Sequence, residues 1–210
     1  MPGITASATG RRVVGAATGA LLTGLLLGGC GGGEATVKGT PKPAATGTTA
    51  AVAAVTPLSE SLPTKITISK IGVSAPVGQI GLRPDGRIEE PPLSRPNLTG
   101  WYKEGVTPGE VGPSVLLGHV DAKGKAAVFY RLKELKSGDK IQVSRQDGST
   151  ATFAVEGAQR VDKNAFPHKK VFGETLDHAS LRLVTCGGAF DPASGHYKDN
   201  LIIYARLVSS

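Results

Sequence analysis

Leu181-Arg182-Leu183-Val184-Thr185-Cys186-Gly187-Gly188 is a short apolar run that breaks into two glycines. A run of this length with a glycine boundary reads as a buried β-strand, here ending at Cys186. Val115-Leu116-Leu117-Gly118-His119 has the same form and ends at His119. Working outward, Lys65-Ile66-Thr67-Ile68-Ser69 alternates with period two, and Gly81 to Gly86 supplies turn chemistry. Ile141-Gln142-Val143 and Thr152-Phe153-Ala154-Val155 flank Gln146-Asp147-Gly148-Ser149 as the arms of a hairpin. Leu201-Ile202-Ile203-Tyr204-Ala205 is a late strand. The best helical spacing is Val128-Phe129-Tyr130-Arg131-Leu132-Lys133-Glu134-Leu135, with Gly138 just beyond it. Brief strands with one or two short helices predict a mostly β domain over 61–210, either a closed barrel or a sandwich.

The remaining length is unlike that domain. Of the 29 glycines, 11 fall in residues 1–39, so the average composition of the 210 residues mixes different segments. Arg11-Arg12 precedes the uncharged, small-residue stretch from Val13 to Leu27, the pattern of a secretory signal. The stretch closes in Leu27-Gly28-Gly29-Cys30, which resembles the lipobox of bacterial lipoproteins; that resemblance implies lipidation of Cys30 and a signal peptide over 1–30. The other reading is an uncleaved membrane anchor, although 13–29 is short and glycine-rich against the ~20 apolar residues of a spanning helix. Residues 31–60, built mainly from Gly, Ala, Thr and Pro, read as a flexible linker with too little apolar surface to fold.

Composition excludes several functions. The formal charge of +7 includes Arg11 and Arg12, and residues 31–60 are balanced, so the domain is only moderately basic. Its Lys and Arg are scattered without a basic run, which argues against nucleic-acid binding. Two cysteines exclude a disulfide scaffold and a Cys₄ zinc site. With Cys30 assigned to a lipid, Cys186 is an unpaired thiol outside the cytoplasm. Gly187-Gly188 would leave its sulfur open to a long substrate. A cysteine nucleophile needs an imidazole close by, and His119 ends the other apolar strand; spacing alone leaves a buried inert cysteine as an alternative.

Other residues carry paired readings. Asp121 orients His119 or is a turn residue, and Trp101-Tyr102 lines a groove or packs in the core. His168 and His178 sit in loop-like sequence and read as surface residues. His196 with His119, Asp121 and Cys186 lacks compact ligand spacing, so neither a metal nor a cofactor is expected.

Gly118-His119-Val120-Asp121, the aliphatic-x-Thr-Cys form of Leu183-Val184-Thr185-Cys186, and the run from Gly187-Gly188-Ala189-Phe190-Asp191 through Gly195-His196-Tyr197 occur in order. Together they resemble the sortases, most closely class F of actinobacteria, over about Leu62 to Val208. The resemblance implies a closed eight-stranded barrel with a few short helices, held at the extracellular face of the membrane. It implies Cys186 as nucleophile and acyl-thioester carrier, His119 as proton donor and acceptor, and Thr185 and Gly187 beside the substrate. The implied reaction is cleavage of a Leu-Pro-x-Thr-Gly-like sorting signal between Thr and Gly. Surface proteins bearing C-terminal signals and an amine of the peptidoglycan precursor are the implied partners.

Sortases use an arginine on the strand after the cysteine, and this chain departs from that: the region reads Tyr197-Lys198-Asp199-Asn200, and Arg206 lies far along. Lys198, a point charge, and Asn200, a neutral donor, are the expected stand-ins. A non-catalytic surface-binding lipoprotein that keeps the barrel is the rival reading. An L,D-transpeptidase is a poorer fit, because its Ser-His-Gly-x-Cys arrangement holds His and Cys close, whereas 67 positions separate them here.

Overall fold

The computed structural model describes residues 55–210. The signal segment, Cys30 and the linker up to residue 54 lie outside the described residues. The linker expected to run to residue 60 meets the domain earlier. Val55 and Leu58 pack against the core, and the Leu58 N–H donates to Gly109 O at 2.8 Å.

Eight strands close a barrel: β1 (Pro63–Ile68), β2 (Val73–Ile80), β3 (Thr99–Tyr102), β4 (Gly112–Leu117), β7 (Lys140–Arg145), β8 (Thr150–Asp162), β9 (Ala179–Asp191) and β10 (His196–Ser209). A separate small hairpin holds β5 (Asp121–Ala122) and β6 (Lys125–Ala126). The barrel order is β1-β2-β3-β4-β9-β10-β8-β7. Two neighbouring pairs, β2 with β3 and β4 with β9, are parallel and need crossovers; the rest are antiparallel. The expected closed, mostly β architecture is the one observed, and the β7–β8 hairpin turns at Gly148 as its sequence indicates.

Alternation assigns the two faces. Ile66, Ile68, Phe153, Leu181, Leu183 and Ile203 point inward and are fully buried, each worth about 1.5–3 kcal/mol. The opposite face of β4, β9 and β10 carries a second cluster of Val115, Val184 and Ile202. It is covered by the β8–β9 connection through Val171, Phe166 and Phe172. That connection holds the only α-helix among the described residues, α1 (His168–Phe172), where the sequence reads as loop.

The helix expected over 128–135 does not form beyond a 3-10 turn at Leu132–Glu134. The apolar spacing is real, since Val128, Phe129, Leu132 and Leu135 are all buried. The amides at its start are already committed, Ala127 to Val120 O, Val128 to Pro96 O and Phe129 to His119 O. The next residues close with bonds of three-residue span, such as Leu132 N–H to Phe129 O, so tertiary pairing overrides the helical pattern.

The second departure is at Cys186, where β9 does not end. β9 and β10 continue past the barrel as a ribbon, pairing Phe190 with Tyr197 and Asp191 with His196. Gly188 (φ 76°) forms a bulge there, and a Cβ on it would overlap the Asp199 carboxylate, so only glycine fits. Phe190 and Tyr197 meet edge-on at 5.3 Å, and the Tyr197 hydroxyl donates to the Asp121 carboxylate, tying the ribbon to the small hairpin.

Two measurements test this packing. A Cβ at Gly118 would stand 2.5 Å from Phe129 Cδ2 and 2.8 Å from Val128 Cγ1. Phe129 is fully buried and cannot yield, so Gly118→Ala is expected to cost about 1–3 kcal/mol in thermal unfolding. Gly157→Ala, with nothing within 4 Å of the new Cβ, is expected to stay within about 0.5 kcal/mol of wild type. Tyr197→Phe releases the ribbon, and native-state trypsin cleavage after Lys198 is expected to accelerate while the melting temperature changes little; unchanged cleavage would show that Asp121 does not hold the ribbon.

Candidate active site

Parallel pairing brings the two strand ends expected to carry chemistry to the same end of the barrel. β4 and β9 run in register from Gly112 with Ala179 to Leu117 with Val184. The Gly118 N–H then donates to Val184 O at 3.1 Å, so His119 leaves the sheet beside the Thr185–Cys186 peptide. Adjacent strands lie about 4.8 Å apart. By alternation Leu117, His119, Val184 and Cys186 share the outer face, where Leu117 and Val184 belong to the apolar cluster. His119 and Cys186, 67 positions apart in the chain, are therefore neighbours, each half-buried.

The β2–β3 connection closes over this pair. His119 Nε2 lies 2.6 Å from Pro91 O, and because a carbonyl only accepts, Nε2 carries a proton. The ring nitrogen that can hand a proton to a leaving group is thus protonated and held by one backbone contact. Glu90, the residue before Pro91, is close enough for its charge to act on Cys186.

Cys186 itself is a free thiol. Burial pushes it above the usual cysteine range, the positive charge of Lys163 works against that shift, and the negative charges of Glu90 and Asp121 reinforce it. Lys163 opens the 3-10 turn Lys163–Ala165 at the end of β8, and the Asp162 carboxylate fixes the turn by accepting from the Asn164 N–H at 2.7 Å.

The expected stand-ins for arginine fall differently. Asn200 is directly opposite Cys186 on β10, sharing its face. Lys198 is exposed on the ribbon opposite the Gly188 bulge. Its charge acts on Asp191, whose carboxyl is held low mainly by the Ala193 N–H and the Ser194 hydroxyl and in lesser part by Lys198. Arg206 pairs with Ser180 at the other end of the barrel, and its guanidinium approaches Asp177 at 3.9 Å. Arg182, on the face of Cys186, is 3% exposed and committed to Glu174 at 2.9 Å, to Ser180 and to the Tyr204 ring.

Strand pairing places the residues that flank the cysteine. The Thr185 side chain is buried and, lying opposite Leu201, faces the barrel core, away from the Cys186 sulfur. Gly187 is half-buried opposite Asp199, with only ordinary contact distances around it, and lies mid-strand instead of ending one.

The tertiary structure separates the paired readings. Trp101 is core, 4% exposed with Nε1–H donating to Val106 O, whereas Tyr102 packs edge-on against Phe172 at 5.3 Å on the outer face. Asp121 is engaged by Tyr197, whose hydroxyl is pushed up to about 12, first by that hydrogen bond. His196 is exposed and pairs with Asp191 on the ribbon, away from the barrel end that holds His119. His168 is not a free surface residue: it starts α1, lies against Phe166 at 4.9 Å, and burial lowers its pKa. His178 bonds the Asp177 carboxylate at 2.7 Å. Among the described residues no three His, Cys, Asp or Glu side chains converge as a metal site.

Lys163, Glu90 and Pro91 are the site residues that the sequence reading missed. The one signal for Lys163 is its place after Gln159-Arg160-Val161-Asp162, which extends the hairpin strand further than its apolar part. The assembled groups are a half-buried thiol, an adjacent imidazole with its proton on Nε2, and a lysine whose charge acts on the thiol. An apolar surface adjoins them, as acyl transfer from an extended peptide requires.

Comparisons with known proteins agree with this architecture. Sortase A from Corynebacterium diphtheriae, in a lid mutant, superposes with a TM-score of 0.54 at 19% identity, covering 72% of each chain. Sortase C-1 from Actinomyces oris gives 0.53 at 23% identity, over 69% of this chain and 72% of that one. Sortase C1 from Streptococcus agalactiae gives 0.54 at 21% identity, over 70% and 67%. These likenesses concern the fold. A search of curated proteins finds no match. A Sortase domain model matches residues 66–208, which is nearly the whole barrel, and the chain belongs to the sortase family of cell-surface cysteine transpeptidases.

Proposed function

We propose that the protein is a class F-like sortase in which Cys186 attacks the Thr carbonyl of a Leu-Pro-x-Thr-Gly-like signal and His119 protonates the departing Gly nitrogen. The resulting thioester on Cys186 is then opened by an amine of the cell wall, which His119 deprotonates. Class F character rests on Thr185-Cys186-Gly187-Gly188 and Gly195-His196-Tyr197. The enzyme works at the extracellular face, anchored through a lipid on Cys30 or through an uncleaved apolar segment. Among the described residues no helix is long and apolar enough to cross a membrane, and the segment with Cys30 lies outside them.

The observation that carries the reading is the β4–β9 register, which sets His119 beside Cys186 on the outer face. The apolar surface next to Cys186, with Leu117, Val184, Phe166 and Tyr102, suits the Leu and Pro of such a signal. A Thr carbonyl entering over Cys186 meets the sulfur from the solvent side, because Thr185 and the core lie behind it.

Incubation with a panel of Leu-Pro-x-Thr-Gly peptides is expected to leave a thioacyl adduct on Cys186, detected by mass spectrometry. Cys186→Ala should lose both the adduct and cleavage, and a Cys186→Ala protein that still cleaved would end this reading. His119→Ala is expected to lower kcat/KM by about 10²–10⁴-fold. Because burial holds the thiol above its usual range, little thiolate exists at neutral pH. Alkylation of the free enzyme by iodoacetamide should therefore keep accelerating from pH 7 through pH 9; a plateau below pH 7 would mean that the thiol is depressed instead.

A further inference from the structure

The strands that carry His119 and Cys186 are tied together on both sides of the site. On the barrel side, the Gly118 N–H donates to Val184 O at 3.1 Å, just past the last β4–β9 pair. On the solvent side, two hairpins meet. β5 and β6 pair Asp121 with Ala126 and Ala122 with Lys125 around Lys123-Gly124, both at positive φ (51° and 73°), as a primed two-residue turn requires. The ribbon of β9 and β10 pairs Phe190 with Tyr197 and turns on a bond from the Gly195 N–H to Asp191 O at 2.9 Å. The Tyr197 hydroxyl crosses from the ribbon to the small hairpin and donates to the Asp121 carboxylate. Among the described residues, the other hydrogen bonds and ring contacts of 189–198 stay inside the ribbon.

This contact acts on the backbone of His119. Asp121 follows it by two residues, and the chain between them is pinned. The Phe129 N–H donates to His119 O at 3.0 Å, and the Ala127 N–H donates to Val120 O at 3.1 Å. The small hairpin and the His119 backbone therefore move as one piece. On the other side, Tyr197 lies three residues before Asn200, which is directly opposite Cys186. A hydroxyl donating to a carboxylate makes a charge-assisted bond, roughly twice as strong as a neutral one. That bond, with burial in second place, pushes the Tyr197 hydroxyl up to about 12, so the donor keeps its proton through the neutral and mildly alkaline range.

We infer that Tyr197 is a positioning residue: through its bond to Asp121 it fixes the His119 backbone against the strand pair that carries Cys186, and so sets the approach of imidazole to sulfur. The consequence for proton transfer rests on the transpeptidase reading. Tyr197 gives up no proton in the reaction. With the tie in place, the ring that hands its Nε2 proton to the leaving nitrogen is held beside the thiol. Without it the two hairpins part, and His119 keeps only its bonds to residues 127–129 and Pro91.

The test compares Tyr197→Phe, Asp121→Ala and Asp121→Asn in the full-length protein, with Phe190→Leu as a control that removes the ring contact and keeps the bond. Circular dichroism and thermal melting report folding. Tyr197→Phe and Asp121→Ala are expected to lower kcat for peptide cleavage about ten- to hundredfold, with KM within about twofold of wild type. Asp121→Asn retains an oxygen acceptor and should recover most of the loss, and Phe190→Leu should stay close to wild type. A double variant, Tyr197→Phe with Asp121→Ala, should be no slower than either single one, because both remove the same bond. A second measurement needs no peptide. In protein carrying isotope-labelled histidine, the His119 ring signals are expected to shift or broaden in Tyr197→Phe while those of His168 and His178 stay in place. A folded Tyr197→Phe protein with wild-type kcat and an unmoved His119 signal overturns the inference. So does an Asp121→Asn protein as slow as Asp121→Ala, since the charge and not the bond would then matter, or a Phe190→Leu loss equal to that of Tyr197→Phe. A wild-type protein inert toward every sorting peptide would refute the proposed reaction, while a displaced His119 signal in Tyr197→Phe would still support the tie.

Discussion

The parallel pairing of β4 with β9 is the constraint on which the site depends. Parallel neighbours point the same way, so the residues after both strands emerge at one end of the barrel. That arrangement needs a crossover of some sixty residues between Leu117 and Ala179, and the chain uses it for the small hairpin, the β7–β8 hairpin and the cover over the outer face. Gly118 is where the constraint is tightest. It donates the last bond to β9 while lying against the fully buried Phe129, so a side chain there would displace His119 or the core.

Around this frame the site balances opposing electrostatic effects. Burying Cys186 at the edge of an apolar cluster disfavours its thiolate, and Glu90 and Asp121 add to that, while Lys163 opposes them. The Pro91 carbonyl, 2.6 Å from His119 Nε2, holds the ring's proton on that nitrogen.

Much of the architecture was legible because it rests on short-range patterns. Alternation in Lys65–Ser69 and the turn at Gly148 each specify local geometry without reference to distant residues. The errors arise where distant partners decide. Val128–Leu135 has helical spacing and buries its apolar side chains, yet its first amides bond to Pro96, His119 and Val120. Cys186-Gly187-Gly188 looks like a strand end, yet β10 continues the pairing beyond it by absorbing a bulge at Gly188. His168 looks like loop, and is held against Phe166 by a helix of five residues.

The sequence by itself determined the mostly β class and the two apolar strands that lead to Cys186 and His119, because residue type and period-two alternation are local properties of the chain. The tertiary structure alone decided which groups surround the sulfur. Lys163, Glu90 and Asp121 come from three separate connections, and no periodicity links them to Cys186.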